Sequence, residues 1–214
     1  MTKEILTSLH GMEIGLDADR DLIVGGKQIT DKAAEVGAKN GSTVVETSLI
    51  DGPVRKVKLT CTATPITFAD SAGNGQYGGV KVYDFPSGLL LFLGGVIDGS
   101  LTLVDDSGTW SATWNGDVGL GTAVHGDASG LDGTSQDLLQ ATATTVAVAK
   151  VGNCDAVSIA TALTESGARW HDGTATAKDM YLNFEIDDAA AHADGDGGTF
   201  TGTIEFAYMI LGDN

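Results

Sequence analysis

The chain is predicted to be all-β, a jelly-roll-like β-sandwich behind an irregular amino-terminal arm, and three observations carry that prediction. Apolar residues recur at every second position in most periodic segments, the spacing of a strand with one face in a core. Clusters of glycine and aspartate separate those segments and supply the left-handed backbone positions that tight turns need. A length of 214 residues with 30 glycines and three prolines is enough for one sizeable core without metals or disulfides. Many short strands favour two packed sheets, because a double sheet hides edges that an open sheet would expose.

Taken in order, residues 1–43 read as the arm and 44–214 as the body. Within the arm, Thr30 to Ala38 carries a cap residue at Thr30 or Asp31 and a stop near Gly37, which predicts a short helix. In the body, Val57, Leu59, Cys61 and Ala63 are expected to face inward, with Lys56, Lys58, Thr60 and Thr62 outside. Met180, Leu182, Phe184 and Ile186 form a second inward set, and Ile204, Phe206, Tyr208 and Ile210 a third. Turns are expected at Ala72 to Gly75, Asp105 to Gly108, Asn115 to Asp117 and Asp194 to Gly198. Asn153 to Gly167 fits a short helix or a strand with a loop, and the small side chains of Ala141 to Ala149 suit a closely packed strand.

One segment breaks the alternation. Leu89 to Val96 is apolar on both faces, so it is either a central strand covered on both sides or a strand whose second face meets another copy of the chain.

Charge is divided unevenly. Residues 1–60 hold eight basic and nine acidic side chains, whereas residues 61–214 hold four basic against 20 acidic, a net of −16. Such a body repels phosphate backbones and anionic headgroups, which excludes nucleic acid and membrane as its partners. The first 20 residues carry Lys3, Glu4, Glu13, Asp17, Asp19 and Arg20 and lack a signal peptide's apolar stretch. The longest apolar run, Leu89 to Ile97, falls well short of the roughly 20 residues that a spanning helix needs.

Chemistry-bearing patterns are weak throughout. Cys61 and Cys154 stand far apart and read as buried thiols, not as a disulfide framework or a zinc pair. His10, His125, His171 and His192 sit singly, without metal-ligand spacing, and read as surface or loop residues. Gly126 to Gly130 places its serine one position late for a nucleophile elbow, and no phosphate-cradling glycine loop follows a strand. Asp194 to Glu205 imitates a calcium loop, but Gly198 and Thr199 stand where a ligand and the turn glycine belong, so a β-turn is expected. Trp110, Trp114 and Trp170 could stack on sugar if exposed in one row, although core packing explains Trp110 and Trp114 as well. No catalytic residue, cofactor or metal is assigned.

Four segments carry a resemblance: Lys81 to Gly88 (KVYDFPSG), Trp114 to Thr122 (WNGDVGLGT), Thr174 to Asp188 (TATAKDMYLNFEIDD) and Thr201 to Asp213 (TGTIEFAYMILGD). Over roughly its last two thirds the chain resembles a family of virion structural proteins of tailed bacteriophages, similar to head cement or decoration proteins. These are packing and turn motifs, not catalytic signatures. The resemblance implies a non-enzymatic subunit, made in the host cytoplasm, that binds the major capsid protein on the outer head surface and self-associates, as a homotrimer, to stabilise the lattice. A tail or fibre component and a carbohydrate-binding module are the alternatives. On that reading Lys27, Lys32 and Lys39 of the arm meet the capsid, and Leu89, Leu91, Phe92 and Leu93 line a contact between copies.

Overall fold

A computed structural model describes residues 4–9, 12–16, 22–24, 27–28, 37–51, 54–70, 76–104, 113–127, 130–145, 148, 151–158, 170–187 and 197–210, the first four stretches as backbone. The chain forms two compact units, Met1–Gly37 and Ala38–Asn214. No α-helix occurs among the described residues, and so none is long and apolar enough to cross a membrane.

The first unit contains strands β1 (Glu4–Leu9), β2 (Met12–Leu16), β3 (Leu22–Val24) and β4 (Lys27–Gln28), joined as an antiparallel meander. This corrects the expectation of an irregular arm. The register sets Ile14 opposite Val24 and Leu16 opposite Leu22, while a shift between Ile5 and Thr7 breaks the period of β1 that a sequence pattern would have revealed. The predicted helix of Thr30 to Ala38 lies outside the described residues up to position 36, and Ala38 itself is in a strand.

The second unit is a sandwich of two antiparallel sheets. Its strands are β5 (Ala38–Lys39), β6 (Val44–Asp51), β7 (Val54–Thr67), β8 (Ala69–Asp70), β9 (Gln76–Asp84), β10 (Gly88–Val104), β11 (Asn115–Gly121), β12 (Leu139–Ala143), β13 (Val151–Asn153), β14 (Ala156–Ser158), β15 (Trp170–Gly173), β16 (Asp179–Asp187) and β17 (Gly197–Ile210). The larger sheet runs β6, β7, β17, β10, and the short strands β15, β14 and β13 pair with successive stretches along the far edge of β10. The smaller sheet runs β12, β11, β16, β9, β5, with β8 also on β9. Residues 38–43 pair with this unit: Lys39 lies opposite Tyr83, and the Asn40 amide donates to the Val82 carbonyl at 2.8 Å.

The core follows the alternation closely. Val57, Leu59 and Cys61, then Met180, Leu182, Phe184 and Ile186, then Ile204, Phe206 and Tyr208 are all buried. Rings cluster where the sheets meet: Tyr83 and Phe85 pack edge to face with each other and with Phe206 and Tyr208, which stack on one another, and the Tyr83 and Tyr208 hydroxyls are 3.2 Å apart. Cys61 and Cys154 are free and buried, and desolvation pushes the Cys154 thiol up to about 12, which keeps it an inert packing group.

Four expectations are corrected by local geometry. Ala63 is exposed, because a register shift between Phe200 and Gly202 puts it at φ 48 and hands the inward position to Thr64. Asn115 to Asp117 is not a turn but the start of β11, where Gly116 lies so close to Ile186 that a Cβ would fall 2.0 Å from the Glu185 carbonyl. His125 is buried and His171 largely so, although both were expected at the surface. The turn expected at Asp105 to Gly108 and most of the residues of those at Ala72 to Gly75 and Asp194 to Gly198 lie outside the described residues.

Asn183 alternates with the inward set of β16 and so has the spacing of an outward residue, yet it is fully buried. Residues 122–127 and 130–138 lie over the outer face of the smaller sheet, and the Asn183 carboxamide holds them there. Its Nδ2 donates to the Ala123 carbonyl at 2.9 Å and the Ser135 carbonyl at 2.8 Å, and its Oδ1 accepts from the His125 amide at 3.0 Å. Asn183→Ala leaves the His125 amide and the Ala123 and Ser135 carbonyls without this partner, so a loss of about 2–4 kcal/mol is expected in urea unfolding, with the amides of residues 122–127 and 130–138 exchanging first.

Candidate docking face

The outer face of the larger sheet is built by register. Leu49 of β6, Lys56 of β7, Ala207 of β17 and Gly94 of β10 lie side by side. One row along, Thr47, Lys58, Glu205 and Val96 are neighbours, and on the other side Val54, Met209, Leu91 and Trp170 are. The first two rows enclose a shallow groove of about 540 Å³ whose apolar lining includes Leu49, Leu93, Val96 and Ala207.

A bulge makes this face apolar. Phe92 and Gly94 flank a register shift, with Gly94 at φ 134, a conformation that glycine adopts without penalty. Inward residues are Leu90 and Phe92 before the shift and Ile97 after it. Leu93 and Val96, an odd number of residues apart, therefore share the outer face and remain 37% and 39% exposed, beside Leu49 at 60% and Trp170 at 54%. A sandwich has one interior, and these side chains are outside it.

Charge borders the groove on one side. Lys56 and Lys58 both point outward from β7, and Lys58 meets Glu205 at 2.6 Å with both side chains about half exposed. Such an exposed pair contributes only about 0–1 kcal/mol. It orients charge at the rim and adds little stability.

Of the interface residues expected from sequence, Leu89, Leu91 and Leu93 do lie on this face, the first two half-buried. Phe92 does not. Its ring is 5% exposed and stacks on Phe206 at 6.1 Å, so it belongs to the core and not to the expected interface. Lys39 is exposed in β5 with its Nζ donating to the Gly41 carbonyl, Lys27 is in β4, and Lys32 lies outside the described residues. Leu49, Ala207 and Trp170 were missed. The alternating run of β6 carries apolar residues on both parities, Val44 and Ile50 against Val45 and Leu49, which offers no way to choose a face.

The opposite outer face is acidic. Asp117 of β11, Glu185 of β16 and Tyr77 of β9 are in register, with Asp187 two residues beyond Glu185. Burial, then the nearby charges of Asp117 and Asp187, push the Glu185 carboxyl up to about 7. Because its folded pKa exceeds the ordinary value, the native state binds the extra proton between pH 4.5 and 7, so this group adds stability as pH falls through that window. Glu185→Gln is expected to raise the melting temperature at pH 8 and to flatten its pH dependence, by on the order of 1 kcal/mol once solvent screening is counted.

A second polar cluster sits at the sandwich edge. Thr122 donates through its amide and hydroxyl to Asp137 at 2.8 and 2.7 Å, and His171 Nδ1 approaches Asp137 Oδ2 at 3.5 Å. Burial pushes His171 down, outweighing the attraction of Asp137, so the imidazole is neutral. The contacts tie Thr122 and Asp137 to β15. Trp114 is 1% exposed with its ring over Gly152, Trp110 lies outside the described residues, and only Trp170 of the described tryptophans is open to solvent. That arrangement removes Trp114 from a sugar-stacking row. Among the described residues no three His, Cys, Asp or Glu side chains gather where they could hold a metal ion, and Glu205 is engaged with Lys58.

Comparison with protein-family models, with curated proteins and with solved structures finds no match for this chain.

Proposed function

We propose that this chain is a non-enzymatic structural subunit of a tailed-bacteriophage virion, a capsid cement or decoration protein that binds the outer head surface and its own copies. The observation that carries the reading is the groove on the outer face of the larger sheet, where Leu49, Leu93, Val96 and Ala207 lie outside the core. An apolar face of this kind on a soluble sandwich is matched to another protein surface, not to a small substrate. The resemblance of the KVYDFPSG, WNGDVGLGT, TATAKDMYLNFEIDD and TGTIEFAYMILGD segments to virion proteins supports the assignment to a particle. Jelly-roll-like connectivity belongs to the same reading, as does a homotrimer on a local three-fold site.

The physical task of such a subunit is to hold neighbouring capsid subunits together against the pressure of packed DNA. A ligand that binds only the closed lattice stabilises it by mass action. The body from position 38 onward carries 22 acidic and eight basic side chains, a net of −14, which disfavours adhesion to DNA and to other particles of like charge.

Antibody labelling of purified virions tests the assignment. Label over the head is the expected result, with particles lacking the protein releasing DNA at lower temperature. Label restricted to the tail would replace the head role with a tail or fibre role, and its absence from the particle would end the virion reading.

A further inference from the structure

Strand β6 is an open edge of the larger sheet, and its ladder says which of its backbone groups face outward. Among the described residues its one ladder partner is β7, to which it pairs without a register shift from Val44 opposite Cys61 to Asp51 opposite Val54. In the next pair of the same register, the Thr62 amide donates to the Thr43 carbonyl at 3.0 Å, so Thr43 belongs to a pair that bonds across the ladder. Alternation then assigns the amides and carbonyls of Val45, Thr47 and Leu49 to β7 and points those of Val44, Glu46, Ser48 and Ile50 to the open side.

The other edges of the sandwich are interrupted or short. Across the larger sheet the far edge is divided among β13, β14 and β15, while in the smaller sheet β12 meets β11 through a register shift and β5 is two residues long. Such breaks protect an edge against the addition of a foreign strand. None of them is present in β6, which runs for eight residues without proline, glycine or lysine. It leaves Thr47, Ser48 and Leu49 exposed in succession, and Val45 and Leu49 are each 60% exposed.

We infer that β6 pairs with the β6 of a second copy, antiparallel across a two-fold axis at Thr47, so that two larger sheets join into one. Val44, Glu46, Ser48 and Ile50 can bond only to the same set on the second copy, which limits the registers of greatest overlap to those centred on Glu46, Thr47 or Ser48. Centring on Glu46 sets two carboxylates against each other, and centring on Ser48 sets Val45 against Asp51. The register centred on Thr47 instead sets Val45 opposite Leu49 on both sides of the axis, Glu46 opposite Ser48, and Thr47 opposite its equivalent. Both exposed apolar side chains of the strand gain an apolar neighbour, and a threonine pair lies at the centre. The inference specifies one way in which copies meet in the reading above. It rests on the ladder of β6 and not on the groove, and a two-fold contact stops at two copies.

The test uses the full chain, with sedimentation velocity for the pair and amide exchange for the ladder. A dimer is expected in the wild type and in Leu93→Asp, whose substitution lies in the groove and away from the edge. Exchange at Glu46 and Ser48 is expected to slow as the dimer fills, while Val45, Thr47 and Leu49, bonded to β7, stay protected at every concentration. Ser48→Pro removes a donor that faces the open side, a position where an edge strand tolerates proline, and is expected to weaken the dimer by about tenfold or more. Thr47→Cys brings two thiols together across the axis, where opposed Cα atoms lie about 4.5 Å apart, within reach of a disulfide. It is expected to cross-link the dimer faster than Val124→Cys, an exposed control, and the native Cys61 and Cys154 are buried. A chain that stays monomeric, a dimer lost in Leu93→Asp, exchange at Glu46 and Ser48 that ignores concentration, or Thr47→Cys no faster than the control overturns the inference. Labelled heads with a chain that fails these measurements would leave the virion reading standing without this contact, while an edge-paired dimer absent from particles would do the reverse.

Discussion

Phe206→Ala is expected to cost about 3–5 kcal/mol of unfolding free energy, the range for deleting a large aromatic side chain from a packed core. Phe206 sits at the centre of the ring cluster, 5.0 Å from Tyr83, 5.9 Å from Phe85, 6.1 Å from Phe92 and 6.1 Å from Tyr208 between centroids, and is 4% exposed. Removing it opens a void lined by four rings that are held in place by strands of both sheets, so the site collapses poorly. The loss comes from transfer of the ring and from the cavity that remains. Phe206 also borders the floor of the groove, so the same change is expected to weaken association. Urea unfolding at fixed protein concentration measures the first effect, since self-association adds to apparent stability. Phe206→Leu, which preserves much of the volume, is expected to cost less than half as much.

Leu93→Asp is expected to abolish association through the groove while leaving the fold intact. Leu93 projects from the bulge of β10 into the groove and is 37% exposed in the free chain, so a carboxylate there is hydrated before assembly and desolvated after it. A central apolar contact of this kind carries about 2 kcal/mol or more, roughly thirtyfold in affinity, and desolvation of the carboxylate increases the loss. Sedimentation velocity reads the association and thermal unfolding the fold. Leu89→Asp, at a half-buried position outside the groove, is expected to have a much smaller effect on assembly.

The fold was legible where a strand keeps strict period two from end to end. Met180 to Ile186 and Ile204 to Tyr208 do so, and their inward and outward sets are as the alternation requires for the inward residues. Bulges defeat the same rule. In β7 the shift at Ala63 moves the core position to Thr64, and in β10 the shift at Gly94 changes which residues share a face, so a run that looked apolar on both sides resolves into one core face and one open face. Neither shift has a signal stronger than a glycine or an ordinary alanine in the sequence.

Tertiary cover is the other limit. Asn183 has the spacing of an outward residue and does face away from the core, but a folded-back segment covers it and makes it the most interior polar group of its strand. Nothing in the local pattern announces that cover. The first unit was misread because its strands are only two to six residues long and β1 is irregular, too short for periodicity to rise above composition. Of the docking face, the three leucines of β10 were visible as an excess of apolar residues, whereas Leu49, Ala207 and Trp170 join them only through the cross-strand register.

The account turns on one surface being occupied by protein. A cryo-electron microscopy map of the assembled particle is the direct measurement. The predicted map has protein density against Leu49, Leu93 and Val96. A map in which that face of the larger sheet looks onto open solvent in every copy would contradict it.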